Sequence, residues 1–185
     1  NNTGNYTISF WFRGRPNKTG TQYFFSQGTG NFATGWHYMR IDNCTTAGAG
    51  QKYRLFYQLR YTNSVNDDKF IIYKYNFSGV NTPAEIDVDL RDGNWHHIVV
   101  RVVVENSDKF ESGKAMSWKL YIDGNKKALT NNAHEVKTLD SYIPFIIGAS
   151  EISGTIGNVI QGNFDDFIIW NKSINNDDLE AFSKY

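Results

Sequence analysis

The chain holds one cysteine, Cys44, so no disulfide can form within it. Cys44 reads as an inert or partly buried thiol, with pairing to another chain as the alternative. Proline is scarce, at 3 residues, and charge of one sign is missing: 19 Lys and Arg offset 19 Asp and Glu. That balance argues against nucleic acid or an anionic membrane as partner, since either calls for a basic surplus. No apolar run approaches the ~20 residues of a transmembrane segment. The longest β-branched run, Ile98 to Val104, is broken by Arg101. Internal repeats, low-complexity stretches and linker-like composition are also missing. The chain starts Asn1-Asn2-Thr3 rather than Met and shows no signal peptide, which reads as a segment excised from a larger protein.

What the sequence has in quantity is aromatic and turn-forming residues. Phe, Trp and Tyr make up 16% of the 185 residues, with 16 Gly to break the strands they favour. This length suits one all-β domain over residues 1–185, large enough to bury a two-layer core without metals or disulfides. Six Asn-x-Ser/Thr sequons, at Asn1, Asn5, Asn17, Asn43, Asn76 and Asn171, suit an extracellular protein, and equally an Asn-rich genome.

Period-2 alternation marks the strands. Tyr6 to Arg13 sets Tyr6, Ile8, Phe10 and Phe12 against Thr7, Ser9, Trp11 and Arg13. Thr21 to Gln27 and Trp36 to Asp42 follow, split by a loop holding Gly28, Gly30 and Gly35. Tyr53 to Tyr61 sets Leu and Tyr against Arg54, Phe56, Gln58 and Arg60. Further strands are expected at Phe70 to Phe77, Glu85 to Leu90, Trp95 to Glu105, Met116 to Ile122, Tyr142 to Gly148 and Asn163 to Trp170. Asp123-Gly124 has hairpin-turn chemistry. One short C-terminal helix is expected, capped by Asn175 or Asn176, with Asp177 and Asp178 in its first turn and Leu179 and Phe182 packing inward. The sum is a two-sheet antiparallel jelly-roll sandwich with a short C-terminal helix.

Three stretches together resemble the laminin-G-like, concanavalin A-like lectin and glucanase superfamily. They are Tyr6-Thr7-Ile8-Ser9-Phe10-Trp11-Phe12; Asp92-Gly93-Asn94-Trp95-His96-His97-Ile98-Val99-Val100 followed by Leu120-Tyr121-Ile122-Asp123-Gly124; and Gly162-Asn163-Phe164-Asp165-Asp166-Phe167-Ile168-Ile169-Trp170-Asn171. Their order and spacing frame nearly the whole chain. The same elements resemble the lectin-like jelly-roll subdomain of clostridial neurotoxins. Trp95 is expected to plug the core at its turn. His96 and His97 are expected on opposite faces, which does not suit joint metal binding.

Three chemistries follow. Glu85-Ile86-Asp87-Val88-Asp89 resembles the Glu-x-Asp-x-Glu signature of laminarinase-type glucanases. However, Asp89 is one methylene short of the expected Glu, and the stretch lies too close to the Asp92 turn. A solvated edge strand is the plainer reading. The superfamily resemblance implies a calcium site at Asp165, with carbonyls from Gly28 and Gly30. Sugar binding fits Arg54, Gln58 and Arg60 on one strand face, Trp36 and Tyr38 after the Gly-rich loop, and Trp118 beside Lys119. Each of these taken singly reads as readily as cross-strand packing. The expectation is a non-catalytic, extracellular recognition module for a glycan or glycoprotein. The alternative is a module for a protein partner or a structural spacer, and a glycoside hydrolase ranks behind both.

Overall fold

The computed structural model describes residues 5–16, 20–28, 36–42, 54–60, 70–75, 85–86, 88–104, 116–127, 144–152 and 154–182. Among the described residues, thirteen strands and one helix follow in chain order. They are β1 (Tyr6–Gly14), β2 (Gln22–Gln27), β3 (Trp36–Asp42), β4 (Arg54–Arg60), β5 (Phe70–Tyr75), β6 (Glu85–Ile86) and β7 (Trp95–Val104). Then come β8 (Met116–Ile122), β9 (Asn125–Lys127), β10 (Phe145–Ile147), β11 (Ser150–Ile152), β12 (Thr155–Gly157), β13 (Gly162–Trp170) and α1 (Asn176–Phe182). One sheet has the order β13-β1-β7-β8-β9 and the other β10-β2-β3-β4-β5-β6, with β11 and β12 forming a small hairpin. Among the described residues the named strands pair antiparallel, except β5 with β6, which is parallel.

Alternation buries one face of each sheet against the other. Ile8, Phe10, Phe12, Ile98, Val100, Val102, Leu120 and Ile122 come from the five-stranded sheet. Phe24, Phe25, Met39, Ile41 and Leu55 meet them from the six-stranded sheet. Two register shifts break strict alternation and enrich the core. The first, between Tyr23 and Phe25, sends adjacent Phe24 and Phe25 both inward. The second falls where β13 passes β1 between Ser9 and Trp11, and there Asp166 takes φ 46°. It lets Phe164 and Phe167, three apart, both reach the core, where Phe167 stacks on Phe10 at 5.2 Å.

The helix α1 covers part of the outer face of the five-stranded sheet, where Leu179 and Ile174 pack on Val99 and Tyr121. Asn175 is its cap, accepting the Asp178 N–H at 2.8 Å. Thr7 fixes the approach: its hydroxyl donates to the Lys172 carbonyl at 2.9 Å and accepts the Ile174 N–H at 3.1 Å.

Trp95 corrects an expectation. It pairs with Arg13 on the outer face and is 39% exposed, so it does not plug the core. The inner positions of β7 are the even ones, Ile98, Val100 and Val102, which leaves Trp95 and His97 outside.

Candidate functional site

The register of β3 and β4 decides which positions share a face of the sheet. Trp36 pairs with Arg60, Tyr38 with Gln58, Arg40 with Phe56 and Asp42 with Arg54. Directly opposed residues, and residues two apart, occupy one face of a sheet. Five of the six expected ligand positions, Trp36, Tyr38, Arg54, Gln58 and Arg60, therefore share the outer face, away from core residues Met39, Ile41 and Leu55. Strand β5 continues that face with Phe70, Ile72 and Lys74, and β2 adds Tyr23 and Ser26. The sixth, Trp118, stands apart. It lies on the other sheet and pairs with core residue Val102, so position 118 is on an inner face.

At the centre of this outer face is a residue the sequence reading passed over. The Arg40 guanidinium lies 5.7 Å from the Tyr23 ring centre and 5.1 Å from that of Tyr38, and it donates to the Tyr23 hydroxyl at 2.9 Å. The two rings meet each other at 5.4 Å. Both tyrosines are nearly closed to solvent, at 1% and 2% exposure, whereas Arg40 is half-buried. Tyr38 is thus not an open platform for a ligand. With Tyr23 it braces a cation by cation–π attraction, which fixes the guanidinium without the entropy of a loose arginine.

The Asp92 to His97 turn is built by hydrogen bonds. His96 is held between two carboxylates, with Nδ1 2.8 Å from Asp123 Oδ2 and Nε2 3.1 Å from Asp92 Oδ1. Burial opposes its protonation, but the hydrogen bonds and charges of Asp123 and Asp92 outweigh it and raise its pKa above the ordinary histidine value. Burial likewise opposes ionisation of Asp123 and Asp92. Yet His96 and the His97 N–H hold Asp123 low, and Asn94 with His96 hold Asp92 low. The arrangement ties two turns together across the sheet end.

His97 points the other way, stacked on Trp11 at 4.9 Å, with Nε2 2.7 Å from Ser9 Oγ. A Ser–His contact can mark a nucleophile. Here both residues are 3% exposed, so no substrate reaches them, and burial lowers the His97 pKa. His37 is a core histidine edge-on to Phe25 at 5.2 Å, and burial pushes its pKa down to about 3.

Of the glucanase-like carboxylates, the described one is that of Asp89, and it is engaged within its own turn. Asp89 Oδ1 accepts the backbone N–H of Arg91 at 3.0 Å and its guanidinium at 3.3 Å. Strand β6 holds only Glu85 and Ile86, and Asp87 lies outside the described residues. As for calcium, Asp165 is exposed, pairs with Trp11 and accepts the Asp166 N–H at 2.9 Å. Gly28 follows β2 with φ 116°, and Gly30 lies outside the described residues. Among the described residues no three His, Cys, Asp or Glu gather to hold a metal. None of them forms a helix long and apolar enough to cross a membrane.

The family model Laminin_G_3, of the concanavalin A-like lectin/glucanases superfamily, matches residues 1–180. No curated protein matches the chain. Among solved structures, the CBM40 of the Ruminococcus gnavus IT-sialidase, bound to α2,3-sialyllactose, superposes with a TM-score of 0.61 at 12% identity, over 97% of this chain and 82% of that one. A heptameric SAP-like pentraxin from Limulus polyphemus gives 0.55 at 16% identity, over 97% and 70%. The binding domain of botulinum neurotoxin DC, in complex with SialylT, gives 0.51 at 15% identity, over 97% and 35%. At such identities the likeness is one of fold.

Proposed function

The chain belongs to the concanavalin A-like lectin/glucanases superfamily, and from that membership we propose that it is a non-catalytic, extracellular carbohydrate-binding module. Its ligand rests on the outer face of the six-stranded sheet, with Arg40 as the polar anchor. The observation that carries this reading is the braced cation. Two buried tyrosines hold Arg40 on the face where the register also collects Trp36, Gln58 and Arg60. A guanidinium fixed in this way places a localised positive charge on the face, which suits a sugar hydroxyl or carboxylate. Two further points support the reading. Two of the three solved relatives above hold sialylated or sialyl-named ligands in their own structures. The Asp89 carboxylate that a glucanase would need free is bonded to Arg91.

A glycan array with the folded chain, sialylated and neutral glycans together, tests the proposal. Binding to a defined subset supports a lectin-like module. Silence across the array from a folded sample overturns it.

A further inference from the structure

The sandwich has a recess at the end where β1 leaves its sheet and β13 enters it. A cavity of about 490 Å³ opens there, walled by Arg13, Arg15, Pro16, Ile160, Gln161 and Asn163. Its volume falls within the ~300–1,000 Å³ of small-molecule pockets. Two cations stand at its rim, and among the described residues no acidic one lines it. Among the described residues neither arginine has a carboxylate partner. Arg13 makes only a long contact to Asn163 Oδ1 at 3.5 Å and lies over the Trp95 ring at 5.2 Å. Arg15 is exposed, and its backbone N–H alone is bonded, to the Gln161 carbonyl at 2.8 Å. Like charges two residues apart with no counter-charge repel, and an oxyanion between them relieves that repulsion.

Trp95 supplies the reason for its own exposure. Its indole supports the Arg13 guanidinium by cation–π attraction, much as Tyr23 and Tyr38 support Arg40. Behind the wall, Gln22 is 4% exposed and accepts the Gln161 N–H through Oε1 at 2.8 Å. Its Nε2 is a buried donor without a hydrogen-bond partner, one carboxamide away from that wall. Amides, glycine backbone and two guanidinia suit a hydroxylated anion better than an apolar one, and the volume exceeds what a small inorganic ion fills.

We propose that this cavity is a second ligand site, separate from the Arg40 face, which takes the carboxylate of an acidic sugar on Arg13 and Arg15. The site rests on its own observations and does not require the outer-face reading to hold.

The test is a nitrogen-15 NMR titration of the whole chain, read at the Trp95 indole N–H. The probes are oligogalacturonides, their methyl esters and sodium sulfate, each at matched ionic strength up to ~1 mM. The free acid is expected to shift the Trp95 signal saturably and the neutral ester to leave it in place. Arg13→Ala/Arg15→Ala is expected to weaken the acid at least tenfold, and Arg15→Ala, at an exposed position, keeps the fold for comparison. Arg40→Gln is expected to leave this titration unchanged, while any loss it causes on the glycan array reports the other face. No saturable shift with the acid, equal response to the ester, or full displacement by sulfate at equal concentration overturns the proposal.

Discussion

Replacing His96 with glutamine perturbs the side chain that bridges the Asp92 and Asp123 carboxylates. Both ring nitrogens face carboxylate oxygens, so only the doubly protonated ring donates to both. Two charge-assisted bonds are involved, each worth roughly 1.5–3 kcal/mol when buried. The two carboxylates are about a third exposed, which screens the gain. A loss of about 2 kcal/mol is therefore expected at mildly acidic pH, or roughly 4–8 °C in Tm for a chain of this size. The deficit depends on pH in a fixed direction. Below the ordinary histidine value of 6.5 the His96 contribution is fully present, and it is lost as pH rises through the raised folded value. The Asp92 and Asp123 contributions are present above 3.8 and lost as pH falls through their lowered folded values. The wild-type and His96→Gln melting temperatures should thus differ most between about pH 4 and 6.5 and converge as pH rises through the raised His96 value. His37 and His97 have lowered pKa values, so their contributions are lost as pH falls below 6.5; being common to both proteins, they cancel in the difference. Thermal melts by circular dichroism at half-unit pH steps give the answer. A difference that grows with pH, or does not change with it, refutes the ion-pair account.

Gly162→Ala should cost about 1–3 kcal/mol in urea unfolding, because its Cβ would sit 2.5 Å from the Arg13 carbonyl oxygen and 2.6 Å from the Phe12 ring. Phe10→Ala should cost about 3–5 kcal/mol, since Phe10 lies at the junction of Phe24, Phe164 and Phe167, and chemical denaturation measures it. Glycan binding at the Arg40 face should survive a chelator, as the anchor is a guanidinium. Binding lost with chelator and restored by calcium would instead give Asp165 and its neighbouring loops the leading role.

Much of the fold was legible because alternation is a backbone property. Strands β1, β3 and β8 and the cap at Asn175 fall where periodicity and capping chemistry put them. The three-residue strands β9, β11 and β12 were not, since three residues are too few to show a period. Trp95 and Trp118 show a subtler failure. Alternation states that two faces exist but not which one meets the core: Trp95 was expected inside and Trp118 at a sugar-binding surface. The neighbouring aliphatic residues are the better guide: Ile98, Val100 and Val102 fix Trp95 as outer, and Leu120 with Ile122 fix position 118 as inner. The shared face of Trp36, Tyr38, Gln58 and Arg60 needed the cross-strand register, which no single strand contains. Arg40 was missed for the same reason, because Tyr23 reaches it from β2, 17 residues away.

The most direct test of the outer-face site is isothermal titration of the strongest array glycan into wild type and Arg40→Gln, with circular dichroism confirming that both are folded. A Kd at least tenfold weaker is expected for the variant, about 1.4 kcal/mol or more. An unchanged Kd for a folded Arg40→Gln protein would contradict it.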